Sequence, residues 1–251
     1  MSTQKPIIIA NWKMKLSVAQ AKKLAIAVKN KKTTQAELVI CPTFASLTEV
    51  AKNLAGSQVK LGAQNCFWEP SGAYTGEVSA KELKEIGCEF VIIGHSERRQ
   101  YLKETDEMIH RKIKMALACG LTPILCVGET FDQRQQGAKD YVLIQQVTQA
   151  LQGVEVGSDK QLIIAYEPVW VIGSGQAIDP LEAANTHQVI YQSLFDLFPS
   201  DIVKNNFRII YGGSVDQTNV ADFVSLEKTS GVLVGGASLK IDEFSALIDS
   251  I

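Results

Sequence analysis

Residues 90–128 read FVIIGHSERRQYLKETDEMIHRKIKMALACGLTPILCVG and contain a complete strand–helix–strand unit. The runs FVIIG and PILCVG are short and continuously apolar, which is typical of strands buried on both faces of a parallel sheet. Between them, over residues 104–119, apolar side chains such as Ile109 and Ile113 recur at helical spacing, with Lys112 between them. The stretch therefore predicts two parallel strands joined by a helix.

The same unit recurs along the whole chain. Amphipathic segments separate eight short apolar runs bounded by turn residues: PIIIA, LVICP, VKLGA, FVIIG, PILCVG, LIIAYE, RIIYGG and VLVGG. Strict alternation of strand and helix leaves two options, an open doubly wound sheet or a closed barrel. Because eight units in about 250 residues match the size of a (β/α)8 barrel, we predict that residues 1–251 form a single α/β domain with that fold.

Composition and charge exclude several classes of protein. Hydrophobic residues make up 46% and charged residues 21% of the chain, which excludes a disordered protein. The formal net charge of −2 comes from mixed acidic and basic residues, so we expect no binding to nucleic acid or to an anionic membrane. The apolar run before Asn11 is too short for a secretory signal, and no stretch approaches a transmembrane span. We expect a cytoplasmic protein.

The five cysteines are odd in number and lack the spacing of a redox or zinc site. We interpret them as reduced thiols, and Cys41 and Cys126 lie in apolar runs, where a thiol behaves as a small hydrophobic group. His110 and His187 fall in predicted helices without a partner at metal-ligand spacing, so we expect both on the surface. The sequence predicts neither a metal nor a cofactor.

Polar residues follow several predicted strands, at the end of the barrel where active sites lie. Asn11 and Lys13 are two residues apart and point to the same side of the first strand, although this pair alone favours a surface lysine bound to a carboxylate. After the fourth strand, His95 is suited to polarise a carbonyl or transfer protons near neutral pH, with a structural histidine as the alternative. For Glu97, an ion pair with Lys13 or Arg98 ranks above direct catalysis.

Strand six leads into AYEPVWVIGSGQA, residues 165–177, which contains Glu167. A carboxylate at the end of a buried strand, partly shielded from water, is suited to abstract protons from carbon. The bulky residues after it run into the small residues 173–175, a composition typical of a lid that excludes water. A plain loop with Trp170 packed on the barrel rim is the alternative.

Glycine pairs follow the last two predicted strands, in YGGS at residues 211–214 and in VGG at residues 234–236. Glycine allows main-chain N–H groups to approach an anion, and the loops after strands seven and eight often form a phosphate site in this fold. Tight turns are the alternative, but two pairs at these two strand ends favour a phosphate-binding site.

The motifs NWKMK, GHSERR, YEPVWVIGSG, YGGS and VGGASLK, in this order, resemble the triosephosphate isomerase family over essentially the whole chain. The resemblance implies that Glu167 is the base that converts dihydroxyacetone phosphate to glyceraldehyde 3-phosphate through an enediolate. It implies that neutral His95 acts as the electrophile and that Lys13 stabilises negative charge. Asn11 would fix the substrate geometry, and Glu97 would support Lys13.

The resemblance also implies how the phosphate is held. A lid over residues 168–177 closes on it and is latched by Tyr211 and Ser214. The main-chain amides that bind it are those of Gly173, Ser214, Gly235 and Gly236. At three positions of the lid, where the commoner family pattern has alanine, threonine and lysine, this chain has Val171, Ser174 and Gln176. These departures affect the opening and closing rates of the lid and not the reaction.

The loop QNCFWEPSGAYTGE, residues 64–77, resembles the loop through which the family forms homodimers. In the family, Thr75 reaches the catalytic groups of the partner subunit, so a monomer should be poorly active. Two other functions stay open from the residues alone. One is a lyase that binds its substrate as an imine on a lysine at the end of strand six, where this chain has Glu167. The other is a sugar-phosphate-binding barrel without turnover.

Overall fold

The computed structural model describes residues 5–31 and 33–251 and contains a closed barrel of parallel strands in the order β1 to β8. Each of the eight predicted apolar runs forms one of these strands, which confirms the predicted α/β class and the (β/α)8 barrel. The strands are β1 (Ile7–Asn11), β2 (Glu37–Cys41), β3 (Lys60–Ala63), β4 (Phe90–Ile93), β5 (Thr122–Val127), β6 (Leu162–Tyr166), β7 (Phe207–Tyr211) and β8 (Gly231–Val234).

Helices connect the strands and cover the barrel. They are α1 (Val18–Asn30), α2 (Phe44–Leu54), α3 (Ala80–Ile86), α4 (Ser96–Leu102), α5 (Asp106–Ala118), α6 (Phe131–Gln135), α7 (Lys139–Leu151), α8 (Pro180–Leu197), α9 (Ser200–Asn206), α10 (Val220–Val224) and α11 (Ile241–Asp249). The helix predicted over residues 104–119 is α5, which begins at Asp106 because Thr105 caps it by accepting from the N–H of Met108. In the described parts of the chain, no helix is long and apolar enough to cross a membrane.

Strand side chains alternate between the barrel interior and a layer beneath the helices. The interior layer is filled by apolar side chains and two thiols: Ile7, Ile9, Val39, Cys41, Phe90, Ile92, Ile124, Cys126, Ile163, Ala165, Ile210 and Leu233. The strands are therefore buried on both faces, as predicted. Because this interior is closed by apolar side chains, the polar residues that follow the strands gather at the mouth of the barrel.

The cysteines are free thiols, as expected from their spacing. Burial raises the pKa of the Cys41 thiol above its ordinary value. Burial also raises the pKa of Cys126, and the negative charge of the neighbouring Glu167 adds to that effect. Both thiols therefore stay protonated and act as small hydrophobic groups in the core.

The prediction that His187 lies on the surface is wrong. Its side chain is fully buried in α8, with Nδ1 2.8 Å from Thr229 Oγ1 and the ring edge-on to Tyr166. The hydroxyl of Thr229 gives the neutral imidazole a hydrogen-bond partner, so the neutral ring can be buried at modest cost. Burial disfavours the charged form and lowers the pKa of His187 to about 3. His110 is partly buried, and its Nδ1 lies 3.1 Å from the carbonyl oxygen of Ala150.

Lys112 also departs from the polar helix face on which its spacing places it. It is 3% exposed, and its Nζ donates to Asn65 Oδ1 at 2.8 Å and to the carboxylate of Glu104. Arg98 donates to the same carboxylate at 3.1 Å. A buried ammonium is tolerated at this position because a carboxylate and an amide oxygen satisfy it.

Gly231 allows the barrel to close. It begins β8 beside Ile7 of β1 and has φ +148°, and a Cβ there would lie 1.9 Å from the carbonyl oxygen of Ile7. Only glycine fits at this distance. Closure brings the turn after β8 next to the residues after β1, so that the Cβ position of Gly235 is 3.5 Å from Lys13 Cε.

Candidate active site

The end of β1 presents an amide and an ammonium to the barrel mouth. Asn11 is buried, and its Oδ1 accepts from the N–H of Lys13 at 3.0 Å. Lys13 has φ +49°, uncommon for a residue with a side chain, and Gln64 Nε2 donates to its carbonyl oxygen at 2.9 Å. This turn directs Lys13 Nζ to Glu97 Oε1 at 2.7 Å. Of the two partners considered for Glu97, Lys13 and Arg98, the structure has Lys13.

His95 lies between β4 and α4, where it caps the helix. Its Nδ1 accepts from the N–H of Glu97 at 3.2 Å, so the proton of the neutral ring is on Nε2. The side chain is 6% exposed, and Nε2 faces Glu167 Oε1 at 3.1 Å. The imidazole is thus held by the main chain with its N–H directed into the site.

Glu167 follows β6 and is buried, with 2% of its surface exposed. Its N–H donates to the carbonyl oxygen of Val127 at 2.7 Å, and its Oε2 accepts from the N–H of Ser96 at 2.9 Å. Oε1 lies near His95 Nε2, but the direction between them does not make a hydrogen bond, and Oε1 has no other partner in the described structure. One carboxylate oxygen is therefore fixed and the other is available to take a proton.

The segment after Glu167 begins with a short 3-10 turn, Val169–Val171. Trp170 Nε1 donates to Glu129 Oε1 at 2.9 Å, and the hydroxyl of Tyr166 donates to the same carboxylate at about 3.2 Å. Glu129 is fully buried, and burial raises the pKa of its carboxyl group. Trp170 is therefore held by a specific polar contact and does not merely pack on the rim.

The rest of the predicted lid is exposed and stabilised from within. Gly173 and Gly175 have φ +75° and +76°, in the region that favours glycine. Ser174 Oγ donates to the carbonyl oxygen of Val171 at 2.9 Å and accepts from the N–H of Gln176 at 3.0 Å. Hydrogen bonds within the lid therefore fix its shape while its outer face stays in solvent.

A cavity of about 340 Å³ lies at the barrel mouth, where loops after five strands meet. The predicted site residues that line it are Asn11, Lys13, His95, Glu167, Gly173, Ser214, Gly235 and Gly236. Glu97 is not in the lining and reaches the cavity through Lys13. Two carboxylates that the sequence did not single out, Asp216 and Glu243, also border it.

The latch implied for Tyr211 and Ser214 stays a prediction. The hydroxyl of Tyr211 accepts from the N–H of Ile178 at 3.4 Å, one residue beyond the predicted lid. Within the described residues, no His, Cys, Asp and Glu side chains form a group of three or more that could hold a metal ion.

Three contributors to the site were not predicted as such. The N–H of Ser96 holds the carboxylate of Glu167, but a main-chain group has no signal in a sequence. Gln64 donates to the carbonyl oxygens of Lys13 and Cys41, and its position in the 64–77 loop gave no sign of this. Glu129 follows β5, and only the structure pairs its carboxylate with Trp170.

A closed barrel with ionisable side chains above a glycine-lined cavity is the architecture of an acid–base barrel enzyme. A family model described as triosephosphate isomerase matches residues 6–251. The chain belongs to the triosephosphate isomerase family, and it is an isomerase.

Three relatives named triosephosphate isomerase illustrate the similarity. The protein of Caldanaerobacter subterraneus subsp. tengcongensis is 44% identical over 247 residues, which cover 98% of this chain and 99% of the relative. The protein of Alkaliphilus metalliredigens is also 44% identical over 247 residues, with the same coverage. The protein of Dictyoglomus thermophilum is 43% identical over 249 residues, covering 98% of this chain and all of the relative.

Proposed function

We propose that this chain interconverts dihydroxyacetone phosphate and D-glyceraldehyde 3-phosphate through an enediolate. The observation that carries the proposal is the 3.1 Å approach of Glu167 Oε1 to His95 Nε2 beside one glycine-lined cavity. At this spacing, the carboxylate can take a proton from a carbon of one small substrate while the imidazole N–H donates a hydrogen bond to the neighbouring oxygen. The reaction belongs to glycolysis and gluconeogenesis, and we place the protein in the cytoplasm.

Glu167 is the base in this proposal. Its free Oε1 takes the proton from the carbon beside the carbonyl and returns it to the neighbouring carbon. Low exposure supports this role because few water molecules compete for the carboxylate. The N–H of Ser96, which binds Oε2, holds the carboxylate at the edge of the cavity.

His95 and Lys13 stabilise the charge that develops on the substrate oxygens. With Nδ1 already accepting from Glu97 N–H, His95 has one N–H left to donate, at Nε2. The Lys13 ammonium adds electrostatic stabilisation, and Glu97 is the positioning residue that holds it. Asn11 borders the same cavity and fixes the substrate.

The phosphate binds to main-chain N–H groups of Gly173, Ser214, Gly235 and Gly236. All four residues line the cavity, and three of them have no side chain that would keep an anion at a distance. The lid over residues 168–177 contributes Gly173 and closes the site to water, which protects the enediolate.

A coupled assay with purified protein and either triose phosphate tests the function. Glu167→Asp withdraws the base by one methylene, and we expect kcat to fall about 100-fold with a small change in KM. Glu37→Asp is the matched control, since it shortens a carboxylate at the opposite end of the barrel and should leave kcat unchanged. Undiminished turnover of Glu167→Asp would show that the base is another residue, and an inactive wild type would reject the function.

We also propose a homodimer formed through the 64–77 loop. Tyr74 in this loop is 44% exposed and packs on Phe67, with ring centroids 4.6 Å apart. Met14 and Tyr101, which follow β1 and β4, are 92% and 70% exposed. These side chains follow β1, β3 and β4, and exposed apolar side chains are costly to leave in water. This favours their burial against a second copy of the chain.

A further inference from the structure

Arg99 lies in α4, and its guanidinium reaches back to the ends of β4 and β5. Nε donates to the carbonyl oxygen of Gly94 at 2.8 Å, and Nη2 donates to the carbonyl oxygen of Cys126 at 3.2 Å. Nη1 donates to Oδ1 of Asp106, the first residue of α5, at 2.5 Å. One rigid, planar group with low exposure therefore joins two strand ends to a helix.

The two carbonyl oxygens lie just beyond the last pair of the β4–β5 ladder. The register pairs Ile93 with Leu125, so Gly94 and Cys126 come next on the two strands. Gly94 has φ +76°, which turns its chain out of the sheet and ends the main-chain pairing. The side chain of Arg99 takes over the connection between the two strands at this point.

Each strand end leads directly to one of the two acid–base groups. Gly94 precedes His95. Cys126 precedes Val127, whose carbonyl oxygen accepts from the N–H of Glu167 at 2.7 Å. A change in the separation of the two strand ends therefore changes the 3.1 Å distance between the imidazole and the carboxylate.

We propose that Arg99 is a positioning residue for the isomerisation, which fixes His95 relative to Glu167 by binding the carbonyl oxygens of Gly94 and Cys126. The inference rests on the function proposed for those two side chains. Arg99 does not line the cavity, and the residues proposed to bind phosphate follow β6, β7 and β8, whereas Arg99 joins the ends of β4 and β5. Its loss should therefore reduce kcat and leave substrate binding nearly unchanged.

Arg99→Met tests the inference, because it removes all the donors and keeps an unbranched side chain. We expect kcat to fall about 10- to 100-fold, as for a misplacement of up to about 1 Å, with KM within about threefold. Phosphoglycolate, whose carboxylate resembles the enediolate, should bind more weakly by a similar factor. The Kd of inorganic phosphate should not change. In Arg99→Lys a single ammonium replaces the planar group that binds two carbonyl oxygens, so its kcat should lie between those of the wild type and Arg99→Met.

Arg208→Met is the matched control. Arg208 donates to Glu37 Oε2 at 2.7 Å and to the carbonyl oxygens of Lys5 and Ser230, the same kinds of partner, at the opposite end of the barrel. It should lose stability and keep kcat. Unchanged kcat in Arg99→Met, or an equal loss in both variants, would overturn the positioning role.

Two further results separate the possible failures. If Arg99→Met does not fold, the same comparison between Arg99→Lys and Arg208→Lys decides, and equal kcat in these two variants would overturn the role. A wild type without turnover would reject the proposed function and this inference with it. An active wild type with a fully active Arg99→Met rejects the positioning role alone.

Discussion

His187 is a buried imidazole whose ring lies edge-on to Tyr166, the last residue of β6. Nδ1 contacts the hydroxyl of Thr229, and Nε2 has no hydrogen-bond partner in the described structure. A second proton would place a positive charge in the core with no counter-charge in contact. Burial for this reason lowers the pKa of His187 to about 3.

His187 should therefore make stability depend on pH. Its pKa is 6.5 when unperturbed, so between pH 6.5 and 3 the unfolded chain binds a proton that the folded chain does not. The free energy of unfolding should fall as the pH falls through this window, by about 2 kcal/mol from pH 7 to pH 5. Urea unfolding at the two pH values should show this loss for wild type and for His110→Gln. In His187→Gln the loss should be about 2 kcal/mol smaller, and an unchanged loss would contradict the assignment.

The positions of Glu167 and His95 at the barrel mouth could be predicted because each ionisable side chain follows an apolar strand. Lys13 could not be placed there from its own position, which favoured a surface lysine, and its role was implied only by the family resemblance. Ser96 could not be predicted as the group that holds the base, since it acts through its main-chain N–H. His187 was mispredicted because helical periodicity does not reveal that a distant Thr229 satisfies a polar residue on the inner face.

The predicted lid, residues 168–177, is held by hydrogen bonds at both ends, and its centre is exposed. At its start, the carboxylate of Glu129 accepts from the Trp170 indole, and the main-chain carbonyl oxygen of Glu129 accepts from the N–H of Val169. Beyond its end, the N–H of Ile178 donates to the hydroxyl of Tyr211. The exposed centre depends on the contacts of Ser174. Motion of the lid should therefore hinge at these two ends.

Gln176→Lys places a charge next to the second hinge, in exposed surroundings. The interaction of an exposed charge is small, so we expect the exchange rate of the lid to change by about two- to fivefold. Relaxation-dispersion measurements on the lid amides give this rate. Gln152→Lys adds the same charge after α7, away from the lid, and should not alter it. Identical exchange in Gln176→Lys and wild type would show that charge at the hinge has no influence.

The strands were predictable as elements because continuous apolar runs are distinctive when both faces are buried. The short helices were not, since α6 and α10 have five residues each, too few to show a helical period. A cap contact fixes the start of α6, where Thr130 accepts from the N–H of Gln133, whereas α10 has no side-chain cap at its start.

At the scale of the whole molecule, the exposed apolar residues after β1, β3 and β4 follow the same ends of the strands as the cavity residues do. Met14 follows Lys13 directly, and Tyr74 adjoins Thr75. A subunit that covers this surface would therefore also touch the loop that carries the ammonium. In the proposed dimer, we therefore expect activity to depend on assembly.

Thr75→Arg should disrupt that assembly, because a buried unpaired charge is costly. We expect a monomer at micromolar concentration with kcat lower by about 100-fold, since the groups after β1 lose their support. Sedimentation velocity and the coupled assay on the same samples measure both effects. Thr34→Arg changes an exposed threonine before β2, at the other end of the barrel, and should remain an active dimer. A fully active monomer would refute the coupling.

The closure of the barrel at Gly231 also sets the time at which activity can begin. The ribosome makes Asn11 and Lys13 long before Gly235 and Gly236, yet these four residues border one cavity. A nascent chain that still lacks β8 contains Glu167 and His95 but only some of the main-chain N–H groups proposed to bind the phosphate. On the proposed mechanism, we therefore expect turnover to start only when the last strand joins the first, and unfinished copies released by stalled translation to consume no substrate.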